Sequence, residues 1–108
     1  MRAVLSPAAA QLLRCLLSRI GLKRDSVLVS AFRSVDWQSL TFTGERHEIS
    51  LRIPGPDSAR AVALLRDGLA DAEWPLRGHV VADIVIVAER DAGDGAILLD
   101  MEALTLSD

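Results

Sequence analysis

The sequence repeats one order of predicted elements, an amphipathic helix followed by two strands, in each of its halves. The first half covers residues 7–53 and the second covers residues 57–106, with the break Pro54-Gly55-Pro56 between them. Proline and glycine interrupt regular structure, so this break marks the boundary between the halves. The halves share almost no aligned identities, so the repeat is one of elements and not of residues.

Each predicted helix has an apolar stripe at helical spacing and recognisable ends. Ser6-Pro7 supplies an N-cap followed by a proline in the first turn, and Gly21 follows the last apolar residue. Asp57 or Ser58 caps the second helix, and Trp74-Pro75 ends it. The two stripes consist of Leu12, Leu13, Leu16, Leu17, Ile20, Val62, Leu65, Leu69 and Ala72.

Gly44-Glu45 lies between two segments with strand character and predicts the turn of a β-hairpin. Glycine at the first central position is typical of a type II′ turn, which here joins residues 37–43 to residues 46–53. The resulting register pairs Phe42 with His47 and gives the hairpin one mainly apolar and one mainly polar face. We therefore expect His47 on the helix-facing side, as a partly buried packing residue.

The second pair of strands is predicted at residues 80–88 and 96–106, around a polar, glycine-rich loop at residues 90–95. Apolar residues alternate along both strands, which fixes the side that faces the helices. The preferred register sets Asp83 directly opposite Asp100. Its helix-facing side consists of Val80, Ala82, Ile84, Ile86, Ile97, Leu99, Met101 and Ala103.

The order αββαββ predicts an α+β fold of two layers, a four-stranded antiparallel sheet with both helices on one face. At 108 residues the chain has the size of one domain, so we expect a single domain over residues 1–108. This connectivity is that of a circularly permuted ferredoxin-like sandwich, and it is equally compatible with two paired αββ units. The sequence leaves the strand order open.

The sheet face away from the helices is predicted to hold too many aliphatic side chains for comfortable exposure to water. A contiguous apolar patch of this kind usually marks an interaction site. Our leading hypothesis is that the face packs on another protein, most simply a second copy, because a two-fold contact is self-complementary. The alternative is that the loops and the C-terminal tail cover the patch within one chain. The predicted interface residues are Trp37, Arg52, Val85, Val87, Leu98, Leu104 and Leu106.

In the register of the first hairpin, Trp37 is expected directly across from Arg52. An exposed pair of this kind forms a cation–π contact of about 0.5–1 kcal/mol. Tryptophan beside arginine also suits the energetic centre of a protein interface, which strengthens the interface hypothesis.

Carboxylates form a second feature of the open face. Asp83 lies opposite Asp100 with Glu102 diagonal to it, and like charges in this position destabilise a sheet. Arginine pairing or solvation, a divalent cation, or an acid/base pair would each offset the repulsion. His79 lies on the same side of its strand as Asp83, but too far for a direct hydrogen bond. The candidate ligand or cation residues are therefore His79, Asp83, Asp100 and Glu102.

Other classes of protein find little support in the sequence. The segment Gly93-Asp94-Gly95 lacks the lysine and the following helix of a phosphate loop, and two histidines with one cysteine give no zinc spacing. The net charge of −3 gives no field that attracts nucleic acid. Cys15 is the single cysteine, so no internal disulfide forms, and no apolar run has the length of a membrane span. We expect no cofactor, no metal, no nucleic acid and no membrane, and a cytoplasmic setting.

These patterns predict a small soluble binding or assembly module that forms a homodimer or binds a protein partner through its open sheet face. An enzyme is the less favoured class, because no catalytic motif occurs. The alternative function is a small-ligand binder or enzyme that gathers the carboxylates and a histidine in a cleft at a subunit interface.

Overall fold

The computed structural model describes residues 5–23 and 26–107, and it confirms the predicted element order helix, two strands, helix, two strands. A short 3₁₀ helix at Leu69–Asp71 follows the second helix and was not predicted. The elements are α1 (Pro7–Ile20), β1 (Leu28–Gln38), β2 (Thr43–Ile53), α2 (Ser58–Arg66), β3 (His79–Asp91) and β4 (Ile97–Ser107).

The four strands form one antiparallel sheet in the order β1-β2-β4-β3, and both helices pack on one face of it. The α+β sandwich is therefore confirmed. The finer choice between a permuted ferredoxin-like sandwich and paired αββ units stays a prediction. Since β2 and β4 are the central strands, one strand from each half of the chain supplies the middle of the sheet.

The core lies between the helices and the sheet, and both halves of the chain contribute to it. Each fully buried aliphatic side chain contributes about 1.5–3 kcal/mol relative to exposure. The largest apolar members, each less than 2% exposed, are Leu12, Leu16, Ile20, Ile49, Leu51, Ile53, Leu65, Leu99 and Met101.

The ends of α1 follow the sequence signals. Ser6 is the N-cap, and its Oγ accepts a hydrogen bond from the N–H of Ala9 at 3.1 Å. Gly21 follows the helix with φ 76°, a conformation that glycine adopts without strain.

The second helix is shorter than the sequence predicts. It ends at Arg66 instead of continuing to Ala72, because Gly68 has φ 63° and breaks the helical backbone. Arg19 of α1 then donates to the carbonyl oxygens of Leu65 and Asp67, at 3.3 and 2.7 Å. This contact satisfies carbonyl groups that the end of α2 leaves open.

The first hairpin turns at residues 39–42, so the predicted turn at Gly44-Glu45 is wrong. The N–H of Ser39 donates to the carbonyl of Phe42 at 2.8 Å, and the Ser39 Oγ accepts from the N–H of Phe42 at 3.0 Å. Gly44 instead lies within β2, where an added Cβ would stand 2.0 Å from the carbonyl oxygen of Thr105. Glycine is needed there for the close approach of β4.

This turn changes the register of the hairpin. His47 pairs with Ser34 and not with Phe42, and Trp37 pairs with Gly44. Arg52 pairs with Leu28, so the predicted contact between Trp37 and Arg52 is wrong.

Two β-bulges, one at Ala82 and one at Val87, interrupt β3 where it pairs with β4. A bulge changes which residues face each side of a sheet. Ile84 and Ile86 face the helices as predicted, but Val80 and Ala82 are exposed outside the core. Val81 packs against the core in their place.

Candidate functional site

The face of the sheet away from the helices, here called the open face, divides into an apolar end and a polar end. The apolar end lies where β1 finishes and β3 begins, and the polar end lies on the same strands farther along. The apolar end comprises Val35, Trp37, Val80, Leu104 and Leu106, and the polar end comprises Arg33, Glu48, Ser50, Arg90, Asp100 and Glu102.

The strand register brings the members of the apolar end together. Trp37 and Leu106 both pair with Gly44, and Leu106 pairs on its other side with Val80. Gly44 has no side chain, so it leaves a gap between Trp37 and Leu106 on this row. Val35 and Val80 are 45% and 51% exposed. Among residues 5–23 and 26–107, no helix covers this row of apolar side chains.

Ion pairs and hydrogen bonds neutralise most of the polar end. The Nη1 of Arg33 lies 2.8 Å from an oxygen of Glu48, and the Ser50 Oγ donates to Asp100 at 2.8 Å. An Nη2 of Arg90 lies 3.9 Å from the second oxygen of Asp100. Exposed pairs of this kind contribute about 0–1 kcal/mol each, so they orient side chains more than they stabilise the fold.

Most of the predicted interface residues lie on the open face. Arg52 is there too, in an ion pair with Asp94 of the loop between β3 and β4. Val87 lies at a bulge of β3 and is 55% exposed. The other predicted interface residues lie at regular strand positions of that face: Trp37, Val85, Leu98, Leu104 and Leu106. That these residues form an interface stays a prediction.

The predicted ligand residues are not brought together. Asp83 pairs with Leu104, and Asp100 pairs with Ala88, so the predicted pairing of Asp83 with Asp100 is wrong. His79 pairs with Ser107 and lies on the helix-facing side, whereas Asp83 lies on the open face, so the prediction that these two residues share one side of the strand is wrong. Within residues 5–23 and 26–107, no three or more histidine, cysteine, aspartate or glutamate side chains are grouped to hold a metal ion.

The sheet contains two pairs of like charges that were not predicted from the sequence. Glu48 lies directly opposite Glu102 on the open face, and Asp36 lies opposite Glu45 on the helix-facing side. The correct hairpin turn is the signal that could have identified the second pair, since the register follows from it.

Asp36 and Glu45 line a polar groove on the helix-facing side, beside the start of α1. The groove has a volume of about 370 Å³, and His79 and Ser107 also line it. The Ser6 Oγ donates to an oxygen of Glu45 at 2.7 Å, which ties the start of α1 to this wall. The groove has the size and polarity to hold a small polar molecule.

A chain of buried hydrogen bonds lies directly behind the groove. The Nδ1 of His47 lies 2.7 Å from the Ser34 Oγ, and its Nε2 lies 2.9 Å from the Thr105 Oγ1. The Thr105 hydroxyl donates onward to the carbonyl oxygen of Glu45 at 3.5 Å. Because the Thr105 hydroxyl donates to Glu45, its oxygen accepts from the Nε2 of His47. The proton of the neutral imidazole therefore lies on Nε2, and Ser34 donates to Nδ1.

His47 is confirmed on the helix-facing side, and it is fully buried. Its ring meets that of Phe32 edge to face, with the centroids 5.9 Å apart. Burial lowers the pKa of His47 from its ordinary value; of the nearby charges, Glu45 raises this pKa and His79 lowers it. With both nitrogens bonded and no exposure, His47 has a structural role and is not positioned as a catalytic base.

Comparison with known proteins gives no relative: no family model, no curated protein and no solved structure matches the chain. Among the residues that the structure describes, no helix is long and apolar enough to cross a membrane.

Proposed function

We propose that the protein is a small binding or assembly module that docks a protein surface, most simply a second copy of itself, on its open face. The observation that supports this proposal is the row of apolar side chains at the apolar end, which no helix in the described part of the chain covers. Large contiguous apolar patches on soluble proteins usually mark interaction sites.

The open face has the size that a specific interface needs. β4 has 11 residues and the sheet has four strands. At about 3.3 Å per residue and about 4.8 Å between strands, the face measures about 36 by 19 Å, or about 700 Å² in plan. A standard interface covers about 800 Å² of each partner, so the open face alone approaches this area.

The two ends of the face would have different roles in docking. Burial of the apolar end provides the affinity, at about 25 cal/mol for each Å² removed from water. The polar end provides orientation, because complementary charges at a rim select one arrangement over others. Arg46, between Val35 and Leu104, has no carboxylate within 4.0 Å in the described chain, and Glu102 of a second copy is a suitable partner.

Leu104→Asp tests the proposal, because it replaces an apolar side chain of the apolar end with a charge, between Arg46 and Asp83 on the open face. We expect light scattering to show association of the native protein across the micromolar range, and we expect this variant to remain a monomer. Leu64→Asp is the matched control, since Leu64 is an exposed leucine of α2 on the other side of the molecule. A native protein that binds neither itself nor any other protein through this face would contradict the proposal.

A second candidate function rests on the polar groove. A small-ligand binder, the alternative from the sequence, would use Asp36, Glu45 and His79 in place of the dispersed carboxylates of the open face. Asp36→Asn would then weaken the binding of a small polar molecule and leave any association unchanged, whereas Leu104→Asp would do the reverse.

A cytoplasmic setting is also part of the proposal, because the single cysteine is consistent with a reducing compartment.

A further inference from the structure

The two outer strands of the sheet have very different free edges. Among the described residues, β1 pairs only with β2 and β3 pairs only with β4. Bulges at Ala82 and Val87 break the edge of β3, a common protection against pairing with another chain. The only irregularity in β1 is at Ser30, so residues 31–38 form a regular edge.

One hydrogen bond in the hairpin shows which backbone N–H and C=O groups of β1 are directed outward, away from β2. The N–H of Ser39 donates to Phe42 across the hairpin, so Ser39 directs its backbone toward β2. In an antiparallel pair, alternate residues direct their N–H and C=O groups to the same side. The outward-directed residues of the regular edge are therefore Phe32, Ser34, Asp36 and Gln38.

We propose that two copies of the chain join antiparallel along β1, around a two-fold axis at Val35, to form a continuous eight-stranded sheet. The outward-directed residues, from Phe32 to Gln38, are arranged symmetrically about Val35. Each has one N–H and one C=O, so the pairing forms about eight hydrogen bonds between the copies. Specific interfaces have about 10 ± 5 hydrogen bonds, so this number suits a stable contact.

The side chains of β1 are complementary in this register. Val35 lies opposite Val35 of the second copy, at the axis. Ser34 lies opposite Asp36, so the carboxylate meets a small neutral side chain instead of a second carboxylate. Arg33 lies opposite Trp37 on the open face, where a cation and an aromatic ring attract.

The neighbouring registers are less favourable. An axis at Asp36 would set two carboxylates directly opposite each other, which destabilises a strand pair. An axis at Ser34 would place the aromatic ring of Phe32 opposite the Asp36 carboxylate and leave the backbone of Gln38 unpaired. The axis at Val35 therefore has the best match of backbone and side chains.

Edge pairing goes beyond the proposed function, because it uses the backbone of β1 and leaves the open face free. At the seam the apolar ends of the two copies touch only at Val35, and Trp37 of each copy lies beside Arg33 of the other copy. Edge pairing and face docking together would build a tetramer with two kinds of two-fold contact. Either contact can fail without the other.

Disulfide trapping tests the register directly. In the proposed pairing, the two Val35 residues form a non-hydrogen-bonded pair with Cα atoms about 4.5 Å apart, within the range of a disulfide. In a Cys15→Ala background, Val35→Cys is expected to form a covalent dimer under mild oxidation. The matched control is Arg33→Cys on the same strand and face, because the two Arg33 residues would lie about 13 Å apart. Equal cross-linking of both variants, or of neither, would overturn the proposal.

A proline substitution separates edge pairing from face docking. Asp36→Pro removes an outward N–H that β2 does not use, whereas Asp36→Ala removes the same carboxylate and keeps the N–H. We expect Asp36→Pro, folded by circular dichroism, to lose edge pairing, and Asp36→Ala to retain it. In a Leu104→Asp background the Val35→Cys cross-link should persist, so loss of the face contact would not be mistaken for loss of the edge. Assembly states that are identical for the proline and alanine variants would contradict the edge pairing.

Discussion

Alternate residues of β4 meet very different surroundings on the two faces of the sheet. Leu99, Met101 and Ala103 face the helices and are at most 2% exposed, whereas Leu98 and Leu104 face outward and are only partly buried. The side chains are chemically alike, so the difference comes from the cover that the helices provide. An apolar residue stabilises the monomer only where another element covers it, and its uncovered neighbour is available to a partner.

The contrast between the covered and the uncovered face of β4 is tested most strongly by truncating two neighbouring leucines, one on each face. Leu99→Ala should lower the free energy of unfolding by about 2–5 kcal/mol, because it leaves a cavity in a closed core. Leu98→Ala removes the same atoms from the open face and should cost less than about 1 kcal/mol in the monomer. Denaturant unfolding at low protein concentration measures both values. Equal losses would mean that the open face is covered within one chain.

The buried polar residue of the helix-facing side should make stability depend on pH. His47 has an ordinary pKa of 6.5 in the unfolded chain, and burial lowers its pKa in the folded protein. The unfolded state therefore binds more protons below about pH 6.5. The contribution of His47 to stability is full above that pH and is lost as the pH falls toward its folded pKa.

The variant His47→Gln is the control for this pH dependence, since glutamine does not titrate. Both proteins should lose stability in acid as other groups titrate, but the native protein should lose it more steeply just below pH 6.5. The substitution itself should cost about 1–3 kcal/mol at neutral pH if a buried hydroxyl loses its partner. Identical slopes for the two proteins would show that His47 is not the buried neutral group described above.

The smallest effect is expected at the polar end of the open face. Arg33→Ala breaks the pair with Glu48, whose two side chains are 72% and 53% exposed. The loss in the free energy of unfolding should be less than about 1 kcal/mol and should shrink further at high salt. A loss comparable to that of Leu99→Ala would mean that this end is much less solvated than its exposure indicates.

The sequence was sufficient to predict the elements and the facing of β4. The caps at Ser6 and Gly21 marked the ends of α1, and strict alternation along β4 placed Leu99 and Met101 correctly. These features are local, since each depends on a few neighbouring residues and on one period. The prediction of aliphatic side chains on the face opposite the helices follows from the same alternation.

Register could not be predicted in the same way, because it depends on contacts between distant residues. Gly44 looks like a turn residue in the sequence, but its role is set by the carbonyl of Thr105, 61 positions away. The hairpin turns instead at Ser39, whose hydroxyl closes the loop. In the second hairpin Asp91 pairs with Ile97, and this register separates Asp83 from Asp100. The bulges at Ala82 and Val87 have no glycine or proline to mark them.

Solvent accessibility of individual methyl groups is the most direct test of the claim that the open face docks a protein surface. NMR relaxation by a soluble paramagnetic probe would be measured on native protein across the micromolar range and, if it stays monomeric, with a captured partner. We predict that Leu104 and Leu106 become protected on association while Leu64, on α2, remains as accessible as before. Unchanged accessibility of Leu104 and Leu106 in a demonstrated complex would contradict the account.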